Sequence, residues 1–358
     1  MSSSGGRGRS TARDALRAWI AGAAPPRPRS GAEAQALVDA ALAEGLAPLL
    51  SGAIDAPPWP APSAELLRAQ ERRALHTAVQ QLDTLAEAAA RLRRAGLRAL
   101  PLKGAALAED LYRSPAERPM CDVDLLALDD FAGAWSVLGD AGLVTIDRGD
   151  HAVALRAPNG VVVELHQSPT SCPGLYPLDA EALWAQRRAG AGQVKELPSR
   201  EHLLVLLALH AVFQHGLALR LVQYLDLRRL LDVPLDPSSV FAAADACGAR
   251  AVLGAALLAA EVVVGARVPQ ALRPALHALP PRDRARVAAW ARAAAAGTLV
   301  PPTARVRWMA ARGRRAALLR GTLRGNAEGA ALPRAFTLLR RWALPTLRSW
   351  LPQRGRAA

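Results

Sequence analysis

Lysine is almost missing from this chain. Only Lys103 and Lys195 stand among its 45 lysine and arginine residues, within a sequence of 358. Arginine and alanine in such excess are most simply the mark of a GC-rich coding sequence, so the formal charge of +14 does not by itself name an acidic partner. Cysteine is scarce too: Cys121, Cys172 and Cys247 lie far apart with no CxxC pair, which excludes a zinc ribbon and a disulfide framework. Aromatic residues make up 4%, so the core is expected to be built from leucine, valine and alanine. No apolar run reaches the 18 or so residues that a membrane span needs, and the N-terminus has no apolar segment; a soluble, cytoplasmic protein is expected. HExxH, GxSxG, a Walker loop and a glycine-rich dinucleotide fingerprint are all absent, which sets aside the zinc hydrolases, serine hydrolases and P-loop enzymes.

What is present divides the chain by texture. Residues 1–10 are serine, glycine and arginine without periodicity, as in a disordered tail. Residues 11–96 read as helices: two before Pro57-Pro58-Trp59-Pro60, with Ser30 or Gly31 capping the second, then a long one from Ser63 to about Ala95 that Gly96 ends. Residues 97–198 change character. Leu97–Leu102 is a buried strand, Gly104–Tyr112 a helix and Val123–Leu128 a second strand. Asp129 or Asp130 caps a helix running to Asp140. His151–Arg156 and Val161–His166 are two strands joined through Asn159-Gly160, a strong hairpin signal. This β-α-β-α-β-β unit predicts a small mixed sheet flanked by helices. Residues 199–296 return to helix, with segments over Glu201–Phe213, Leu217–Leu231 and Ser238–Val264. Residues 297–358 form a basic helical segment with thirteen arginines and one acid, Glu328. The fold class is therefore α+β, with a mainly helical C-terminal region.

The chemistry concentrates in the sheet unit. Asp122 and Asp124 are two apart at a strand, which puts both carboxylates on one face with Cα atoms roughly 6–7 Å apart. Two such groups repel unless a cation lies between them, and hard oxygen ligands suit Mg²⁺ or Mn²⁺. Glu164 sits inside an apolar strand, where a charge is costly unless paired or metal-bound, and by alternation it shares a face with His166. If its strand neighbours the aspartate strand, a third carboxylate joins the cluster. Lys103-Gly104 turns a strand into a helix, so the backbone N–H groups there and the lysine ammonium can hold phosphate. Arg118 can bind phosphate or pair with an acid. His210 and His215 are five apart, a poor fit to the i, i+4 spacing of a helical metal pair, and read with His202 and Asp226 as hydrogen-bonded residues between helices.

At these positions the chain resembles the bacterial uncharacterised nucleotidyltransferase family, within the superfamily of DNA polymerase beta-like nucleotidyltransferases. The resemblance is carried by Leu102-Lys103-Gly104, by Arg118-Pro119-Met120-Cys121-Asp122-Val123-Asp124-Leu125-Leu126 and by Glu164-Leu165-His166. It extends to Glu201-His202-Leu203-Leu204, His210, His215-Gly216 and Tyr224-Leu225-Asp226-Leu227, about residues 65–235 in all. It implies a sheet-based catalytic core and two divalent ions, Mg²⁺ or Mn²⁺, held by Asp122, Asp124 and Glu164. Lys103, Gly104 and Arg118 would bind nucleotide phosphate, with His166 and Asp226 supporting them from behind. The reaction implied is transfer of a nucleoside monophosphate from an NTP, ATP first among them, to the hydroxyl of a small molecule, sugar, peptide or protein. The turn departs from the superfamily's usual Gly-Ser or Gly-Gly: Gly104-Ala105 lacks the serine hydroxyl, and Lys103 is the substitute at hand.

Two other functions fit parts of the pattern. An Asp-x-Asp glycosyltransferase using a nucleotide-sugar would give Lys103, Gly104 and Glu164 no role. A non-enzymatic scaffold would use the arginine-rich segment, where Trp308, Leu318, Leu319, Leu338, Leu339 and Trp342 interleave with arginines, to bind nucleic acid or a membrane surface. A helical subdomain with a solvated basic face has the same pattern.

Overall fold

The structure is a computed structural model, and it describes residues 4–54, 59–172, 174–296, 303–311, 313–316 and 318. Its centre is a five-stranded mixed sheet of β1 (Ala99–Pro101), β2 (Val123–Ala127), β3 (Val144–Arg148), β4 (Ala152–Arg156) and β5 (Val162–His166), in the order β1-β2-β5-β4-β3. Only β2 and β5 run parallel; the other neighbours are antiparallel. The hairpin of β4 and β5 forms at the expected place. Gly160 takes φ +88°, and the Asn159 carboxamide oxygen accepts from Val161 N–H at 3.2 Å, which closes the turn. A small ladder of β6 (Arg188–Ala189) and β7 (Glu196–Leu197) stands apart.

The two faces of the sheet bury different things. Val123, Leu125, Val163 and Leu165 point into the main core, where the long helix Ala61–Arg94 contributes Leu82, Leu85 and Leu92. Full burial of each such side chain contributes about 1.5–3 kcal/mol. Leu100 and Leu126 pack on the other face against Leu206 of helix Arg200–Leu209. Asp124, Glu164 and His166 alternate onto this second face.

Some expectations need correction. The sheet has five strands, not four: β3 is an edge strand and all five of its residues are exposed, so it lacks the buried side that gives a strand its sequence signal. Most of the expected N-terminal tail belongs to helix Ser4–Ile20, because Ala12, Leu16 and Ile20 are buried and extending a nucleated helix is easy. The Ser238–Val264 stretch is two helices, Pro237–Ala246 and Arg250–Val264, separated at Gly248 with φ +67°. Asp236, rather than a serine, caps the first, accepting from Ser238 and Ser239 N–H. The helix expected to run from Glu201 to Phe213 ends at Leu209 and continues as one wide π-turn, His210–Gln214.

Within the basic C-terminal segment, Arg307 donates to the carbonyls of Phe213 and Gln214, and Arg314 to those of Leu175 and Cys247. These arginines secure backbone ends, including the π-turn. Leu319, Leu338, Leu339 and Trp342 lie outside the described residues, as does the side chain of Trp308. Among the described residues no helix is long and apolar enough to cross a membrane.

Candidate active site

A cavity of about 360 Å³ opens beside the ends of β2 and β5, and Lys103, Gly104, Asp122, Asp124 and Glu164 all line it. The register explains why. Asp124 pairs directly with Glu164 across the parallel strands, so the two carboxylates leave the sheet side by side. Asp122 lies one residue before β2 and reaches the same cavity. His166, two residues beyond Glu164, completes a group of ligand atoms with Asp124 and Glu164, all within 4.8 Å of one another.

Positive charge already sits on these acids. The Lys103 ammonium bonds to Asp124 Oδ1 and lies 3.7 Å from Glu164 Oε2. His166 Nε2 is 2.8 Å from Asp124 Oδ1 and 3.1 Å from Glu164 Oε2. Burial works against the charged form of Asp124, but the His166 hydrogen bond and Lys103 outweigh it and hold the carboxyl well below the usual range. The same contacts raise Lys103 and His166 against the burial that would lower them. Asp122 goes the other way: burial, then Asp124 and Glu164 nearby, push its carboxyl up.

The turn at Lys103 carries backbone strain. Lys103 has φ +50°, the left-handed region, although it is not glycine. Gly104 leaves room of a different kind: a Cβ there would crowd Met120 Cγ at 3.0 Å and Sδ at 3.1 Å, so the methionine would have to give by a few tenths of an ångström. Lysine is thus bent toward the acids while glycine admits Met120. Helix Lys103–Leu107 has only five residues, far short of the helix expected to reach Tyr112.

Arg118 also lines the cavity, and each of its three guanidinium nitrogens already has a partner. Its guanidinium pairs with Asp226 at 2.7–2.9 Å and donates to the Pro119 carbonyl at 2.9 Å. Tyr112 Oη donates to Asp226 Oδ1 at 2.7 Å. Of the two roles open to Arg118, pairing with an acid is the one its geometry displays, and the partner is Asp226, which lines the same cavity.

Sequence reasoning missed the histidine wall. His210 and His215 both line the cavity, with their Nε2 atoms 2.9 Å apart. Five-residue spacing is wrong for an α-helix, but a π-turn bonds i to i+5, and His215 N–H donates to the His210 carbonyl at 3.1 Å. Burial lowers both imidazoles, with Lys103 adding to it, so one ring donates and the other accepts. His151 of the β4 approach completes the wall, its ring centroid 5.5 Å from that of His166. The only cue for the pair in the sequence was two polar residues at a distance that an α-helix does not use.

A glycine-aided turn, an Asp-x-Asp strand and a facing acid strand thus converge on one cavity. The profile of the uncharacterised nucleotidyltransferase family matches residues 30–265, about two thirds of the chain. The chain belongs to this family. No curated protein matches it. Among solved structures it is similar to an antigenic nucleotidyltransferase-like protein from Paracoccidioides brasiliensis, at 21% identity and a TM-score of 0.30, over 53% of this chain and 94% of that one.

Proposed function

We propose that this family member is a divalent-cation-dependent nucleotidyltransferase that moves a nucleoside monophosphate from an NTP, ATP foremost, to an acceptor hydroxyl and releases pyrophosphate. The observation that carries the reading is the in-register pairing of Asp124 with Glu164, with His166 beside them. Oxygen donors so placed fit Mg²⁺ or Mn²⁺, and the Lys103 ammonium on these same acids shows that the group takes up positive charge. Asp122, Asp124 and Glu164 would hold the ions, whose chemistry is to neutralise the triphosphate and acidify the attacking hydroxyl.

The chain's own residues do the rest by positioning and charge. Lys103 and Gly104 face the cavity beside the acids, where the lysine can move from carboxylate to phosphate once the acids have another counter-charge. The acceptor oxygen attacks the α-phosphorus, the bond to the bridging oxygen of pyrophosphate breaks, and the acceptor proton passes to Glu164. His166 holds Asp124 and Glu164 in one orientation through a shared nitrogen.

The test is incubation of the purified protein with α-labelled NTPs, Mg²⁺ or Mn²⁺ and a cell extract as the source of acceptors. Metal-dependent labelling and pyrophosphate release, both lost in Asp122→Ala/Asp124→Ala, are expected. No labelling together with no metal-dependent NTP binding by calorimetry rejects the reading and favours a scaffold.

A further inference from the structure

A second groove, of about 280 Å³, adjoins the carboxylate cavity: Met120 and Arg220 line both. One wall is a single face of helix Ala61–Arg94, where Gln70, Arg73, Thr77 and Gln81 recur at helical spacing over roughly 16 Å. Its charge is the reverse of its neighbour's. Arg73 and Arg220 line the groove, no carboxylate does, and neither guanidinium is ion-paired with a described residue.

A buried polar atom marks the same place. Gln81 is 3% exposed, and its Nε2 donates to the Met120 carbonyl at 3.1 Å. That bond fixes the carboxamide, because a carbonyl accepts only from the nitrogen end. The other end, Oε1, is buried with no partner. A buried acceptor left unpaired is costly in a finished fold, and a ligand donor would remove the cost. Through that bond Gln81 is tied to Met120, which lines both cavities.

We propose that this groove is the acceptor subsite: it binds a molecule carrying a phosphate or carboxylate, held by Arg73 and Arg220, and a hydroxyl or amine that donates to Gln81 Oε1. The guanidinium fork matches either anion. The shared edge at Met120 and Arg220 sets such a molecule beside Asp124 and Glu164, so its role as acceptor rests on the transferase reading, whereas its binding does not.

The test is calorimetric titration of the full-length, metal-free protein with ribose 5-phosphate, gluconate and ribose. A phosphate or carboxylate probe should bind and ribose should not, and the two anionic arms show which anion is preferred. Arg73→Glu, an exposed change on a helix surface away from Lys103, should weaken the anionic probe about tenfold or more, since a charge-assisted bond becomes repulsion. Arg73→Lys keeps the charge but loses the fork, so its affinity should fall between those of the wild type and Arg73→Glu. Gln81→Leu should also weaken it, at a melting temperature measured in parallel to separate binding from folding. Unchanged affinity in Arg73→Glu, or no binding of either anion to the wild type, overturns the proposal. Titration with Mg²⁺ and ATP keeps the two readings apart. ATP binding without anion binding rejects the subsite alone, while anion binding without ATP binding leaves an anion groove and rejects its role as acceptor subsite.

Discussion

Two clusters of acids and bases stand a short way apart, and they are built to opposite plans. In the Arg118–Asp226–Tyr112 trio one carboxylate meets one guanidinium, and a phenol fills the remaining acceptor site. All three residues are nearly sealed, at 6%, 1% and 7% exposure. In the Asp122–Asp124–Glu164 group one lysine and one histidine contact Asp124 and Glu164, Asp122 adds a third acid to the same cavity, and the Glu164 side chain is one-third exposed. The trio is a charge-balanced set whose carboxylate is already matched by a guanidinium and a phenol, although Arg118 and Asp226 also line the cavity. An acid-rich set at a cavity mouth has coordination to spare, which is why the proposed function rests on it.

The sharpest way to break that comparison is to remove one acid from each cluster and read activity and stability separately. Asp124→Ala should abolish nucleotide transfer, a loss on the order of a thousandfold or more, because the carboxylate closest to both cations goes. Its melting temperature should fall less than that of the counterpart variant in the trio, since Lys103 and His166 keep Glu164 as a partner. A large fall in melting temperature with activity retained would reverse the assignment.

Asp226→Ala should do the opposite. It leaves the Arg118 guanidinium buried without its counter-ion, a loss of about 3–5 kcal/mol that lowers the melting temperature of a chain this long by roughly 5 °C. Metal-dependent nucleotide binding at a temperature where the variant stays folded should survive. If that binding vanished with folding intact, the trio would belong to the site as well.

The contrast was half legible in the sequence. Asp122, Asp124, Glu164 and Lys103 could be found because each breaks an apolar pattern or, for lysine, the whole chain's composition, and strand alternation then sorts their faces. Local pattern also gave the β4–β5 hairpin, since Asn159-Gly160 acts over two residues. Register between distant strands has no such local sign, so the pairing of Asp124 with Glu164 needed the fold. Arg118 and Asp226 are 108 residues apart, and nothing near either names the other. The π-turn was hidden for another reason: i to i+5 bonding looks in sequence like an interrupted α-helix, so His210 and His215 seemed misaligned. β3 was missed because an edge strand with no buried face has no alternation to read.

The smallest of the expected effects separates the clusters by pH, because one has a histidine wall and the other has no histidine at all. Burial, with His166 nearby, pushes His151 down to about 4; Glu164, Lys103 and Arg307 act on it more weakly, and Gln214 contacts its ring. The unfolded chain protonates such a group near 6.5. Between pH 6.5 and 4 the unfolded state therefore binds a proton that the folded state refuses, and stability falls as pH falls. His210 and His215 are lowered by burial and act in the same direction. His166 opposes them: its raised value contributes stability that is complete below 6.5 and fades as pH rises through its folded value. From pH 7 to 5 the His151 contribution alone is about 2 kcal/mol at 1.36 kcal/mol per unit. His151→Gln should remove that part of the slope in denaturant melts, making the variant less acid-sensitive than the wild type. An identical slope in both proteins would mean that His151 accepts its proton without cost, and the wall would then be solvated rather than part of a closed site.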